Sequence, residues 1–571
     1  MLRFMRLSRV RVHNYRNIHG LDLELGQVSV VVGENRTGKT NLINAIRLVL
    51  DPAMPYAERK LTSDDFWDGL RKGDPTYEPM KALETISITL QFADFQNDGR
   101  IAAVLFQGLV TTTPVRAEMT YVWAPDPTKG NKYRDGVYFG SNGSGKRVGP
   151  DLREEIFVAF LHALRDVEGD IRSWRKSPLK SLLEGASEAL DPQQLEQIRA
   201  NLESANSTLQ SMSPIQQIST DLESELLGSV GRRQSLGATL RSTPPEPLGL
   251  VRAMQLYIDG DRARRLSAAS LGGQNILYFA LLQMGFRAQI LQKVVSHTLL
   301  LVEEPEAHLH PHMQRAVLEN LTPRDGQTSM VVTTHSPHVA SAVDARHLIR
   351  LKSGLTGSTG FSARSAALSS REWDDMNRYL NATQAEMVFA DKVLLVEGYA
   401  EEVLLPAFAA ILNIDLDKEG ISVCAIHGTH FESYLKFCDA LGIPWALLTD
   451  GDLDAQSVSA GQARVTRFSA NNYGGASPAS LGMFVGDDTL ELDLYATGAN
   501  GSIVDSVLVE LGSSNTGSRV GAWNGKPSKS SLISEVVVAG GKGRFAQRLA
   551  SELVEVPGYV KASLDYLLAS K

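Results

Sequence analysis

One stretch limits the fold more than any other. "VVVGENRTGKTNLINAIRLVL", residues 30–50, sets Gly33, Gly38, Lys39 and Thr40 in the pattern Gly, four residues, Gly-Lys-Ser/Thr, between an apolar run and an amphipathic one. Such a loop needs a strand before it and a helix after it, because the N–H groups at the helix start face the phosphates of a nucleotide. Leu42, Ile43, Ile46, Val49 and Leu50 recur at helical spacing, so that helix is expected. Lys39 is then expected to reach the outer phosphates and the Thr40 hydroxyl to hold magnesium, with Gly33, Asn35 and Gly38 lining the loop. The fold class that carries such a loop is α/β.

At 571 residues the chain exceeds what one core holds, so two or three domains are expected. A hydrophobic share of 43% with 21% charged residues excludes a disordered chain. The net charge of −8 argues against a protein coated in positive charge, yet leaves room for a local basic channel. Only Cys424 and Cys438 occur, both in apolar surroundings, which points to buried thiols, a reducing cytoplasmic location and no cysteine-ligated zinc. No signal peptide, membrane span or membrane partner is expected.

Five segments follow from the pattern. Residues 1–151 read as α/β, and Arg9, Arg11 and His13 share one strand face, expected to be solvated. Residues 152–240, from "REEIFVAFLHALRDVEGDIRSW" through "PQQLEQIRANLESANSTLQSM", read as a helical insertion for self-association or DNA contact. The α/β pattern returns over 241–352, beginning at "LGLVRAMQLYID"; 353–385 is rich in Gly, Ser and Thr and reads as a linker. A second α/β unit runs over 386–571 and contains the loop-like "GSSNTGSRVGAWNGKPSKSS".

The phosphate loop needs partners downstream. "TLLLVEEPEAHLHP" is an apolar strand ending in Glu303, expected in the magnesium shell, and Glu304, expected to polarise the attacking water. "SMVVTTHSP" ends in His335, placed to sense a terminal phosphate. "SLGGQ" opens a helix with Ser270 and Gly272, groups suited to a γ-phosphate held by a second copy. This half resembles the ATP-binding-cassette ATPases of the SMC and RecF type, which implies a head that dimerises around two ATP molecules. Two departures are visible: Glu303 stands where an aspartate is usual, and only Gln91 is available for a glutamine loop. A GTP switch is disfavoured, since no Asn-Lys-x-Asp occurs.

In the second unit, "KVLLVEGYAEEVLLPAF" ends a strand in Glu397 and places Glu401 four residues on, near the same point. "IPWALLTDGDLD" brings Asp450 and Asp452 out of a strand end on one side. "DDTLELDLY" adds Thr489 and Glu491, and "GGKGRFAQRLASEL" puts Lys542 ahead of a helix. All-oxygen carboxylate sites select Mg2+ or Mn2+, and a pair of such ions suits in-line phosphodiester cleavage, with Lys542 neutralising the transition state.

These residues resemble the Toprim pattern. An ATPase head followed by "VEGYAEEVLLP", "TDGD", "TLELD" and "KGRFAQRLA" resembles the OLD (overcoming lysogenization defect) family of nucleases over nearly the whole chain. The resemblance implies metal ligands at Glu397, Glu401, Asp450, Asp452 and Glu491, a softer contact at Thr489 and a catalytic lysine at Lys542; Glu402 and Asp454 are neighbours left out. It implies an ATP-regulated, metal-dependent endonuclease on double-stranded DNA, at least a dimer. Length and inserted helices are similar to members paired with a UvrD-like helicase in the Gabija anti-phage system. The alternatives are an SMC- or RecF-like DNA clamp that does not cut, and a topoisomerase or primase. A topoisomerase needs a nucleophilic tyrosine on a separate gate domain, and a primase usually needs a zinc module.

Overall fold

The computed structural model describes residues 4–162, 179–230 and 264–570, apart from short stretches within them, and a few residues between 251 and 258. Six strands, Arg6–Tyr15, Ile18–Glu24, Ile86–Ala93, Leu109–Thr112, Val115–Asp126 and Lys132–Phe139, form an antiparallel sheet. Its inner face is set by period-two apolar residues such as Ile86, Ile88, Leu90 and Phe92. The helix Lys39–Leu50 lies between this sheet and a second one and buries Leu42, Ile43, Ile46, Val49 and Leu50 together with the Lys39 and Arg47 side chains.

The second sheet runs in the order Thr359–Ser362, Leu348–Lys352, Val28–Val32, Thr328–Thr334, His297–Glu303, Ile156–Leu161. All pairs are parallel except the one made by the edge strand Thr359–Ser362. Its central strands are continuous Val, Leu and Thr runs, as burial on both faces demands.

Two expectations change here. Residues 152–240 do not open as a helical insertion: Ile156–Leu161 is a strand paired with His297–Glu303 and belongs to the nucleotide-binding sheet. "IFVAFL" is a short apolar run rich in β-branched and aromatic residues, and periodicity alone does not separate such a run from buried helix. Helices Pro192–Gln210 and Ser213–Val230 follow, whereas 163–170, 172–178, 231–250 and most of "LGLVRAMQLYID" lie outside the described residues. The second change concerns 353–385, read as a linker. It holds a sheet strand and the helix Ser370–Tyr379, opened by a Ser369–Glu372 capping box, with Trp373 and Met376 buried. Its few apolar residues sit at helical spacing, and a compositional reading passes over them.

The third sheet is fully parallel: Ile421–Ala425, Lys392–Val396, Trp445–Thr449, Met483–Val485. Helices Tyr399–Ile411, Lys542–Leu549 and Gly558–Ala569 pack against it. One apolar core runs from Val30 and Val332 through Trp373 and Met376 to Val393 and Leu447, so the two parallel sheets share an interior. Among the described residues no helix is long and apolar enough to cross a membrane.

Candidate functional site

Register assembles the nucleotide end. Val32 pairs with Thr334 and Val302 with Val332, so Gly33, Glu303 and His335 leave the same carboxyl edge of the sheet. The Lys39 ammonium donates to the carbonyls of Gly33 at 2.8 Å and Glu34 at 2.7 Å and lies 3.5 Å from His335 Nδ1. Burial pushes its pKa down to about 8, against the pull of Glu304, Glu306 and Glu34. Gly38 takes φ 98°, and a Cβ there would meet the Asn17 side chain at 2.8 Å, which leaves room only for glycine. Asn17 in turn donates to the Arg36 carbonyl and the Ser358 hydroxyl, both at 2.9 Å, and accepts from Asn41 at 2.7 Å.

The two strand-end glutamates differ. Glu303 is buried, which raises its pKa, while a hydrogen bond from Thr40 and the nearby His162 oppose the rise. Glu304 sits at φ 44°, a left-handed conformation costly for this residue type, with an oxygen 3.3 Å from His335 Nε2. Ser270 accepts from the Gly273 N–H at 3.2 Å, and Gly272 follows it in the first turn of the helix Leu271–Leu291. Asn35 stays in the exposed arm of the loop. Gln91 bonds Glu118 in mid-strand at 2.9 Å and so is not a glutamine loop. Arg9 faces solvent as expected, in an ion pair with Asp22.

The acidic end is built the same way. Leu395 pairs with Leu447 in parallel, which brings Glu397 beside Thr449; the Thr449 hydroxyl and the Asp450 N–H (3.1 Å) both donate to Glu397 Oε1. Glu401 lies one turn into the following helix, and Asp450 Oδ1 accepts from the Leu490 N–H at 3.1 Å, which draws in Glu491. Lys542 Nζ is 3.0 Å from Glu491 Oε1, at the start of a helix entered through Gly541 at φ 92°. Burial, with Glu401, Glu397 and Glu491 around it, pushes Asp450 up to about 8. Burial also raises Glu401. At Lys542 burial works against the ammonium, but Glu491, with Asp450 and Glu401 behind it, holds its pKa above the usual value.

Asp452 stands apart from this group. Its φ is 51°, and its oxygens lie 3.4 Å from Arg464 and 4.0 Å from Lys529. Arg464 also reaches Glu397 at 3.3 Å, so one guanidinium bridges both acidic segments. Asp454 is used in its own turn, accepting from the Gln456 and Val458 N–H groups.

The donor set suits Mg2+ or Mn2+: carboxylates throughout, plus the Thr489 hydroxyl, which is buried at 5% exposure with no hydrogen-bond partner among the described residues. Among the described residues no group of three or more His, Cys, Asp or Glu side chains is arranged to hold a metal ion as it stands. Uncompensated carboxylates repel one another, and Arg464 and Lys542 occupy part of their oxygens.

Comparison with known proteins agrees with this division. Residues 388–452 match the model of the overcoming lysogenization defect protein-like TOPRIM domain, residues 152–340 an AAA ATPase domain, and residues 5–102 a family of unknown function. The chain is 26% identical over 459 residues to the "OLD nuclease" of Thermus scotoductus, covering 78% of this chain and 82% of that protein. It is 23% identical over 471 residues to the "Endonuclease GajA" of Bacillus cereus, covering 79% and 76%. The chain carries an OLD-like TOPRIM domain and an AAA-type ATPase domain. The solved C-terminal region of the Burkholderia pseudomallei OLD protein is 32% identical, with 32% of this chain and 98% of that one covered at a TM-score of 0.30.

The fold recruits several residues that no motif singles out. Asn17, Asn41 and Ser358 brace the phosphate loop from three separate segments. His162, 3.4 Å from Glu303, ends the strand that was read as helix. Arg464 lies on the helix Ala460–Asn472 with no motif around it, and Tyr559 lines a small cavity beneath Glu401 and Asp450. None of these carries a sequence signal apart from its place in the fold.

Proposed function

We propose that this chain is an OLD-family, ATP-regulated, divalent-metal-dependent DNA endonuclease of anti-phage defence, acting as a dimer or larger assembly. The observation that carries the reading is the gathering of Glu397, Glu401, Asp450 and Glu491 with Lys542 at the carboxyl edge of a parallel sheet. The names of the relatives, a nuclease and an endonuclease, support the same chemistry.

In this reading Glu397, Glu401, Asp450, Asp452, Glu491 and Thr489 hold Mg2+ or Mn2+. A pair of such ions, when bound, supplies an activated water and stabilises the leaving 3′ oxygen. Lys542, anchored on Glu491, neutralises charge gathering on the scissile phosphate. Gly33, Asn35, Gly38, Lys39 and Thr40 bind ATP with Glu303; Glu304 and His335 face its terminal phosphate, and Ser270 and Gly272 complete the site of a second copy. The shared core between the two parallel sheets supports a route by which nucleotide state changes access to the carboxylates. Double-stranded DNA is the substrate, and a UvrD-like helicase is a candidate partner in a cytoplasmic setting.

The test is cleavage of supercoiled plasmid with Mg2+ or Mn2+ across ATP concentrations. Wild type is expected to nick or cut, EDTA to stop it, and Lys39→Ala to change only the response to ATP. Metal-independent DNA binding without cleavage under every condition would favour the clamp.

A further inference from the structure

A cluster of arginines lies in the ATPase half, away from the phosphate loop. A cavity of about 380 Å³ opens at the far end of the helix Lys39–Leu50, lined by Arg59, Tyr121, Asp135, Arg147 and Arg153. Leu48 also lines it, which places it roughly 14 Å along the helix from Lys39 at the α-helical rise. Part of this cluster caps the helix. Arg153 donates to the Val49 carbonyl at 3.2 Å, and Arg59 to those of Asp51 and Pro52 at 2.8 Å.

Capping leaves too much unexplained. The Nε groups of Arg59 and Arg153 and the hydroxyl of Tyr121 are buried with no hydrogen-bond partner among the described residues, Tyr121 being 1% and Arg153 8% exposed. All three groups can donate, and they line one cavity. Among the described residues lining it, three guanidiniums face a single carboxylate, Asp135, whose backbone carbonyl accepts from Arg147 at 3.3 Å. Asp51 lies close by but is held by Arg47. A group that satisfies several buried donors beside excess positive charge is acceptor-rich and anionic, as phosphate is.

The surroundings extend the match. A groove of about 720 Å³ shares Arg59, Tyr121 and Asp135 with the cavity and adds Lys60, Lys81 and Lys132. Tyr56, Trp123 and Tyr133 lie along the same groove, surfaces on which a base can stack. We propose that this cavity and groove bind a nucleoside phosphate unit, with its phosphate against Arg59, Arg147 and Arg153 and its base on the aromatic side. The unit is either a free nucleotide or the phosphorylated end of a DNA strand.

The experiment measures equilibrium binding in the full chain carrying Lys39→Ala, which removes the phosphate-loop contribution and needs no cleavage. The probes are dAMP, a 5′-phosphorylated pentathymidylate and the same oligonucleotide with a 5′ hydroxyl. Tyr121→Phe removes only the orphan hydroxyl, and Arg147→Ala removes an exposed guanidinium, so both variants fold. Saturable dAMP binding, weakened at least tenfold when both substitutions are present, supports the site and a free nucleotide. Binding of the phosphorylated oligonucleotide alone, with the same loss, supports it and assigns the phosphate to a strand end. Absence of binding by every probe, equal binding of the two oligonucleotides, or affinity untouched by the substitutions overturns it.

Discussion

The guanidinium of Arg350 donates to the carbonyl of Ala390 at 2.7 Å and to that of Gly442 at 3.0 Å. Arg350 lies in the strand beside the phosphate-loop strand, whereas Ala390 precedes the first strand of the Toprim sheet by two residues. A side chain only 3% exposed therefore fastens the two parallel sheets together. Arg350→Met keeps the stem but strands two carbonyls, and is expected to cost about 2–4 kcal/mol. Urea unfolding checks it: the variant should unfold earlier, with the two halves separating into distinct transitions. A wild-type midpoint would refute the tie.

Glu401→Gln and Lys542→Met are each expected to lower plasmid cleavage by roughly a hundredfold or more, the scale for loss of a group that stabilises transition-state charge. Glu402→Gln, one residue along, should keep activity. Thermal melting of all three near wild type would separate chemistry from folding.

Arg464 bridges Glu397 and Asp452, so it neutralises carboxylates that a divalent ion is proposed to engage. Arg464→Met should destabilise the metal-free protein, and added Mn2+ should then raise its melting temperature more than it raises that of wild type. A smaller rise would show that Arg464 organises the ligands instead of competing for them.

Asn17 links the Arg36 carbonyl, Asn41 and Ser358 around the phosphate loop. Asn17→Ala should weaken ATP binding by about tenfold, equivalent to loss of a net hydrogen bond of about 1.4 kcal/mol, while metal-dependent cleavage without ATP persists. Titration with a fluorescent ATP analogue measures it.

Burial pushes His297 down to about 3 and His347 to about 4. The unfolded chain binds these protons near pH 6.5 and the folded chain does not, so stability is full above that value and falls as pH drops toward 4. Each histidine contributes up to about 1.4 kcal/mol of loss per pH unit in that window. Urea midpoints between pH 7.5 and 5 should therefore fall, and His297→Gln should flatten the slope whatever it does to the midpoint.

The sequence by itself determined the ends of the strands. Gly33 to Thr40, Glu303–Glu304, Glu397 and Asp450 each follow an apolar run, and a buried parallel strand announces itself by such a run and by the polar residue that stops it. The helix Lys39–Leu50 was legible for the same reason, its apolar spacing being long and regular. Where the signal was short it failed: "IFVAFL" fits strand or helix equally, and the Gly- and Ser-rich stretch after Lys352 hid a strand and a capped helix. Tertiary structure alone decided which strand ends meet, through registers such as Val32 with Thr334 and Leu395 with Leu447. It also decided that Asp452 turns away toward Arg464, and that Asn17, Ser358 and Asn41, far apart in the chain, hold one loop. Pairing register and side-chain packing depend on contacts between residues from about a dozen to several hundred positions apart, and no local pattern of spacing or charge encodes them.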